Sequence, residues 1–254
     1  MTCRGETPAA GGALAEVARV VAARMGVVIA LDSVDGEGRT ADRAAGLRVA
    51  AVAMFEATGA RREIAGHHSD GRPRWPAAVT GSIAHASGIA VAAVARRPFT
   101  RSRPFTRSRP AAVGVDIEVS GALPAIDAGV VLDAAERAAV AADRRPDHLA
   151  TMIWSAKEAA FKAWCEATDG GLGAVDPADI HVELGHLHDG VRAVHVHANG
   201  ALATPVAPVG AVTGWCTEMD GYVLVVVSAR GAHHGVDGMA SAAITNPSAA
   251  NATT

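Results

Sequence analysis

Apolar and polar positions along the chain fall into two rhythms. Residues 13–25, "ALAEVARVVAARM", bring an apolar position every three or four residues and predict a helix. "GVVIAL" follows as a strand. "TADRAAGLRVAAVAMFEATG" predicts a second helix closed by Gly59. "GHHSDGRPRWPAAV" reads as a loop from its Gly, Pro and Asp content. "GSIAHASGIAVAAVA" predicts two strands that turn at Ser87–Gly88. Further on, "AAVGVDIEV" is a strand. "LDAAERAAVAAD" and "PDHLATMIWSAKEAAFKAWCEAT" are helices, the second stopped by "DGG". "IHVEL", "VRAVHVHA", "VTGWCTEM" and "YVLVVVSA" are strands between Gly-rich turns. This order predicts an α+β chain of two similar α/β halves that meet near residues 110–120. The expected divisions are a flexible N-terminus over 1–12, a first half over 13–110, a second half over 111–230, and a disordered tail of small polar residues over 231–254.

Composition narrows the classes. The chain is 50% hydrophobic but only 4% aromatic, so its core must be built from Val, Ala and Leu. A net charge of -3 argues against a general nucleic-acid binder. Cys3, Cys165 and Cys216 are odd in number and widely spaced, which gives neither a disulfide framework nor a zinc pattern and fits a reducing cytoplasm. The N-terminal residues lack the basic start and long apolar run of a signal peptide. The apolar runs "IAVAAVA" and "YVLVVVSA" are too short to span a bilayer. A soluble cytoplasmic protein without membrane or nucleic-acid partners is expected, with a monomer the simpler state for fused halves. One oddity is that "RPFTRS" at 97–102 recurs unchanged at 103–108, as in a loop that tolerates insertion.

Candidate chemistry gathers on two elements. Of the 23 Lys+Arg residues only Lys157 and Lys162 are lysines, and Glu158 stands between them. Two lysines left over by an arginine-rich composition are one reading; the other is chemical, since a compact ammonium differs from a planar guanidinium and a site that sets point charges against phosphate oxygens could demand lysine. Glu158 and Lys162 are i and i+4 and share a helix face. In "GVDIEV", Asp116 and Glu118 point to one side of a strand. Two carboxylates on one face suit a hard divalent cation such as magnesium, and Glu158 is a natural third. His85, in "GSIAHASG", lies among Gly81, Ser82 and Gly88, where backbone can approach a ligand. The other histidines, including His67 and His68, show no zinc spacing and read as surface residues.

The order "GRPRWP…GSIAHASG…GVDIE…WSAKEAAFK" resembles the 4'-phosphopantetheinyl transferases, in particular the surfactin-type group and its enterobactin-synthetase component D branch. The resemblance runs from about Arg39 to about Arg230. It implies two halves in pseudo-twofold arrangement with the active site at their interface. It also implies Mg2+-dependent transfer of the 4'-phosphopantetheine arm of coenzyme A to a serine of an apo acyl or peptidyl carrier protein, releasing adenosine 3',5'-bisphosphate. By the resemblance Asp116, Glu118 and Glu158 hold Mg2+, and Glu158 is also the base. Lys157 and Lys162 contact phosphates, with Lys162 stabilising the transition state. Ser82 and His85 meet the pyrophosphate or the 3'-phosphate. Gly71, Arg72 and Pro73 form the adenine-side loop, and Arg39 meets the 3'-phosphate. Relatives carry a second arginine where this chain has Leu47, and a one-residue slip brings Arg48 to that place. The competing readings are a non-catalytic relative that binds coenzyme A or a carrier domain, and another magnesium-dependent enzyme acting on a nucleotide pyrophosphate.

Overall fold

A computed structural model of the chain describes residues 12–97, 112–168, 172–207 and 209–229. The expected flexible N-terminus apart from Gly12, nearly all of the duplicated "RPFTRS" segment and the expected disordered tail lie outside the described residues. The first half comprises helix α1 (Gly12–Met25), strand β1 (Val28–Ser33), helix α2 (Arg39–Thr58) and strands β2 (Val79–Ala86) and β3 (Ile89–Arg96). β1 begins two residues later than its apolar run suggests, because Gly26 takes a left-handed turn (φ 66°) between α1 and the strand. Gly59 ends α2 in the left-handed region (φ 72°), its N–H donating to the carbonyl of Phe55. Ser87 and Gly88 both take positive φ, as a two-residue hairpin between twisted strands requires.

The second half comprises β4 (Ala112–Val119), α3 (Ala134–Ala142), α4 (Pro146–Ala167), β5 (Ile180–His188), β6 (Val191–Ala198), a single turn α5 (Ala203–Val206), β7 (Val212–Met219) and β8 (Tyr222–Ala229). The two antiparallel sheets share one wiring. In each, the first strand pairs with the last and the last with the one before it, giving β1-β3-β2 and β4-β8-β7. In each, the long helix follows the first strand. The second half adds the β6-β5 hairpin beyond β7. The molecule is thus α+β, with two similar halves, as the element order predicts.

The core sits in stacked layers. Ala45, Val49, Ala50, Ala53 and Met54 of α2 pack on Ala90, Ala92 and Val94 of β3. The other face of β3, through Val91, Ala93 and Ala95, meets Val113, Val115 and Ile117 of β4 with Leu224 and Val226 of β8. Val223, Val225 and Val227 form the outer face of the second sheet beneath α4. α1 closes the seam with Leu14, Ala18 and Val21. Among the described residues, no helix is long and apolar enough to cross a membrane.

Small side chains set the spacing of these layers, most tightly where α4 crosses β4. The helix presents Ala156, Ala159, Ala160 and Ala163, all fully buried. A Cβ on Gly114 of β4 would lie 1.8 Å from the carbonyl oxygen of Ala159. No side-chain rotation relieves a clash with backbone, so only glycine fits. Gly114→Ala is expected to lower stability by at least about 1–3 kcal/mol in denaturant titration, because α4 must lift from the sheet.

Candidate active site

Alternation along β4 decides which residues can act together. Val113, Val115 and Ile117 point into the seam between the sheets, so Gly114, Asp116 and Glu118 point toward α4. Asp116 is buried there. Its Oδ2 accepts a hydrogen bond from Ser155 Oγ at 2.8 Å, and its Oδ1 accepts one from Lys162 Nζ at 2.6 Å. Lys162 also reaches the carbonyl of Val115 at 3.3 Å. Ser155, Glu158 and Lys162 follow at i, i+3 and i+7, one stripe of α4. Ser155 did not stand out in the sequence, although that spacing already placed it beside Glu158.

The electrostatics of this stripe are those of crowded carboxylates. Burial pushes the Glu118 carboxyl above its usual range; Asp116 and Glu158 push the same way, and Lys162 partly offsets them. Burial also raises Glu158, with Lys162 opposing and Asp116 adding. Glu158 borders a cleft of about 90 Å³ walled by Trp154, Phe161, Val175, Pro177 and Ile180, with Lys157 at its base. The site therefore sets half-buried carboxylates and one ammonium beside an apolar slot. Both described cysteines are buried, and burial pushes Cys165 up to about 11 and Cys216 up to about 12.

Lys157 requires a correction. Five positions on a helix turn the side chain by about 140°, so Lys157 and Lys162 leave α4 on different sides. Lys157 is 1% exposed. Its Nζ donates to the carbonyls of Val131 (2.8 Å) and Pro177 (2.9 Å) and lies 2.6 Å from Glu136 Oε2. Glu136 belongs to a closed network: it completes the capping box of α3 with Asp133, accepts the N–H of Val182 at 2.9 Å, and lies 4.0 Å from His181, which pairs with Asp133 at 2.6 Å. Asp133, Glu136 and His181 stand close enough together to hold a metal, but their atoms are already matched to one another and to backbone.

The first half contributes the remaining candidates. Residues 65–74 form a small hairpin, with Ala65 N–H donating to the Arg74 carbonyl and His68 N–H to the Arg72 carbonyl. Gly71, Arg72 and Pro73 lie at its tip and returning arm. Arg72 is pinned to the last turn of α4, donating to the carbonyl of Cys165 at 2.9 Å and pairing with Asp70 at 2.7 Å. Its guanidinium is thus a clamp, and the N–H groups of Gly71 and Arg72 are committed within the hairpin, to the His68 carbonyl and to Asp70. His85 faces α2, half exposed, with Nδ1 4.0 Å from Asp42 Oδ2. Ser82 is buried and three positions away on the same strand, so it faces the opposite side; the two are not brought together. Arg39 opens α2 and is exposed. Arg48 leaves the other flank of α2, bound to the Ser33 carbonyl (3.2 Å), Asp32 (3.4 Å) and Asp35 (3.7 Å), so it does not replace the arginine missing at Leu47.

With this geometry in place, family comparison is direct. Residues 112–216 match the 4'-phosphopantetheinyl transferase superfamily, and residues 37–95 match the 4'-phosphopantetheinyl transferase N-terminal domain. Together the two matches span well over half of the chain, and the chain belongs to the 4'-phosphopantetheinyl transferase superfamily. It is 40% identical over 101 residues to 4'-phosphopantetheinyl transferase Svp of Streptomyces mobaraensis, covering 39% of this chain and 37% of that protein. It is 36% identical over 111 residues to 4'-phosphopantetheinyl transferase PptT of Mycobacterium tuberculosis, covering 42% and 43%. It is 34% identical over 103 residues to 4'-phosphopantetheinyl transferase Npt of Nocardia iowensis, covering 41% and 42%. The alignments span about two-fifths of these curated relatives.

Two outcomes follow from the charges. Lys157→Met is expected to cost about 3–5 kcal/mol in denaturant titration, because it leaves the Glu136 carboxylate buried without its ammonium. The carboxylates behave in the opposite sense. A folded-state value raised above the unfolded one means that the folded protein binds the proton more tightly. The resulting stability is present below the ordinary carboxylate range and lost as pH rises through the raised value. In chelator, Glu118→Gln is therefore expected to melt higher than the native protein at neutral pH, with the difference vanishing at acid pH. Thermal melts at both pH values measure it.

Proposed function

We propose that the protein transfers the 4'-phosphopantetheine arm of coenzyme A to a serine hydroxyl of an apo carrier protein. The observation that carries this reading is the stripe of Asp116, Glu118, Glu158 and Lys162 between β4 and α4, beside the cleft at Trp154 and Phe161. Two halves in one chain support placing it in the surfactin-type group of the family, near the enterobactin-synthetase component D branch.

The donor set fits Mg2+. All three groups are oxygen ligands, burial raises Glu118 and Glu158 with Asp116 adding to both, and a divalent cation offsets the burial of such charges. Asp116, Glu118 and Glu158 would hold it, and when bound it supplies charge neutralisation to a pyrophosphate. The protein's own groups account for the rest. Glu158, whose basicity is raised by burial, takes the proton from the incoming serine hydroxyl. The serine oxygen bonds to the phosphorus that carries pantetheine. The bond from that phosphorus to the bridging pyrophosphate oxygen breaks, and the electron pair leaves with adenosine 3',5'-bisphosphate. Lys162 Nζ, held at the rim of the carboxylates, stabilises the charge that develops on the phosphate oxygens. The apolar cleft beside Glu158 suits the pantetheine arm, and the backbone of Gly71 and Pro73 suits the adenine end.

The test is incubation with coenzyme A, Mg2+ and an apo carrier protein. A mass gain of one phosphopantetheine on the carrier serine supports the reading. Binding of coenzyme A without that gain makes the protein a non-catalytic relative. Asp116→Ala and Glu158→Ala are expected to reduce transfer by about 100-fold or more, and Lys162→Arg to lose most activity although its charge is kept. Circular dichroism should show all three folded; near-native turnover in either alanine variant removes the assignment.

A further inference from the structure

Four side chains with metal-ligating chemistry stand on one face of the β5-β6 hairpin, the two strands that the second sheet adds beyond β7. Ile180, Val182, Val194 and Val196 face the core, so the alternate residues His181, Glu183, His195 and His197 face away from it. The antiparallel register sets His181 directly opposite His197 and Glu183 directly opposite His195. Val182 turns its N–H outward to Glu136, so the pairs on either side of it are the hydrogen-bonded ones, with Cα atoms about 5.5 Å apart. Along each strand the i and i+2 positions are about 7 Å apart. Three imidazoles and one carboxylate thus mark the corners of a small rectangle. Glu183, His195 and His197 are exposed, and among the described residues none of them takes part in a side-chain hydrogen bond or ion pair. His181 differs. Its Nδ1 is held 2.6 Å from Asp133 Oδ2, and Asp133 is itself fixed as the cap of α3. In a neutral ring that carboxylate keeps the proton on Nδ1 and leaves Nε2 with its lone pair.

We propose that His181, His195 and His197, with Glu183, form a binding site for a late first-row divalent metal ion of the zinc class, separate from the carboxylate stripe at α4. The donors decide the metal. Imidazole nitrogens suit Zn2+, Ni2+ and Cu2+, whereas Mg2+ takes oxygen. Two histidines at i and i+2 on one strand, with a third directly across from one of them, surround a single point above the sheet. Exposed imidazoles reach that point by a change of rotamer. The pairing of Asp133 with His181 is the outer-shell arrangement that orients a ligating ring and raises its basicity. Spacing along the chain hides such a site, because its ligands come from two strands joined only by their register. The consequence is a clip across the edge of the sheet. β5 is the last strand of its sheet, and Ile180, the residue before His181, is a wall of the cleft beside Glu158. A metal shared by His181 and His197 fastens that wall to β6.

The experiment is isothermal titration with Zn2+, in excess Mg2+ so that the carboxylates near α4 do not compete for it. The native protein is expected to bind Zn2+ and to melt at a higher temperature in its presence. His197→Asn removes a ligand. Asp133→Asn removes the group that orients His181 and keeps a residue able to cap α3. Each should weaken Zn2+ binding by about 10- to 100-fold. The double variant His233→Asn/His234→Asn, which removes two adjacent histidines elsewhere in the chain, should bind as the native protein does. Co2+ in place of Zn2+ should give the intense visible absorption of a four-coordinate ion, lost in His197→Asn. Circular dichroism checks that each variant is folded, and the exposure of His197 makes its replacement the least disruptive. Native affinity in folded His197→Asn or Asp133→Asn overturns the proposal. So does an affinity that falls in His233→Asn/His234→Asn and not in His197→Asn. None of these readouts uses transfer, so the metal site stands or falls apart from the coenzyme A reading.

Discussion

The contact between the backbone of α4 and Gly114 of β4 is the constraint on which the second half is built. With no Cβ at that position and alanine at 156, 159, 160 and 163, the helix axis lies closer to the sheet than larger side chains permit. The consequences appear one pleat further along the strand. Asp116 comes within hydrogen-bond reach of both Ser155 and Lys162, which are almost two helical turns apart. Glu118 comes near enough to Asp116 and Glu158 for their charges to register on one another. A helix lifted by one methyl layer keeps the same residues and loses the site. Close packing and chemistry are here one requirement, which is why the segment tolerates so little bulk.

The same helix uses its two lysines in opposite ways. Lys157 is fully satisfied, by two carbonyls and the buried Glu136, and those bonds fasten the Val131 and Pro177 segments to α4. Lys162 is half free and is outnumbered by carboxylates. One side of α4 is therefore matched in charge and rigid, while the other keeps unrelieved repulsion. Repulsion of this kind lowers stability. The matched side also borders the cleft beside Glu158, because Pro177 is both a wall of that cleft and a partner of Lys157.

Most strands and both long helices were legible from hydropathy, because the helices bury one face and show its period, while β3 and β8 are buried on both faces and show as unbroken apolar runs. β6, β7 and β8 fall where the apolar pattern puts them. Asp116, Glu118, Glu158 and Lys162 were legible because their spacing matches the periods of a strand and a helix. Lys157 misled for the same geometric reason in reverse: closeness in sequence is not closeness on a helix surface. His85 and Ser82 seem adjacent in a string but differ by an odd number along a strand, so they part. Arg48 misled because counting residues along a segment does not say which flank of α2 each one occupies. The 65–74 hairpin was readable only as a loop, since its ladder joins Gly, Pro and His residues with no apolar alternation. His67 consequently looked like a surface histidine, and nothing in its neighbours signalled Arg43, 24 residues away.

That hairpin also ties the two similarly wired halves together. α2 stands to the first sheet as α4 stands to the second, yet the decoration differs: carboxylates face α4, and arginines line the flank of α2. Apolar packing between sheets alone resists sliding weakly, since one valine contact is much like the next. Polar clamps are directional. The hairpin grips α2 through His67 and Arg43 on one arm, and the last turn of α4 through Arg72 on the other. Arg97, at the end of the first sheet, reaches across to Glu166 of α4 and meets the same carboxylate that Arg72 approaches. Glu166 is thus held between two arginines of the first half, and its burial makes that grip costly to break. The register between the cationic flank and the carboxylate stripe is therefore set by directional contacts that converge on the C-terminal turn of α4, the helix whose closeness to Gly114 builds the carboxylate stripe.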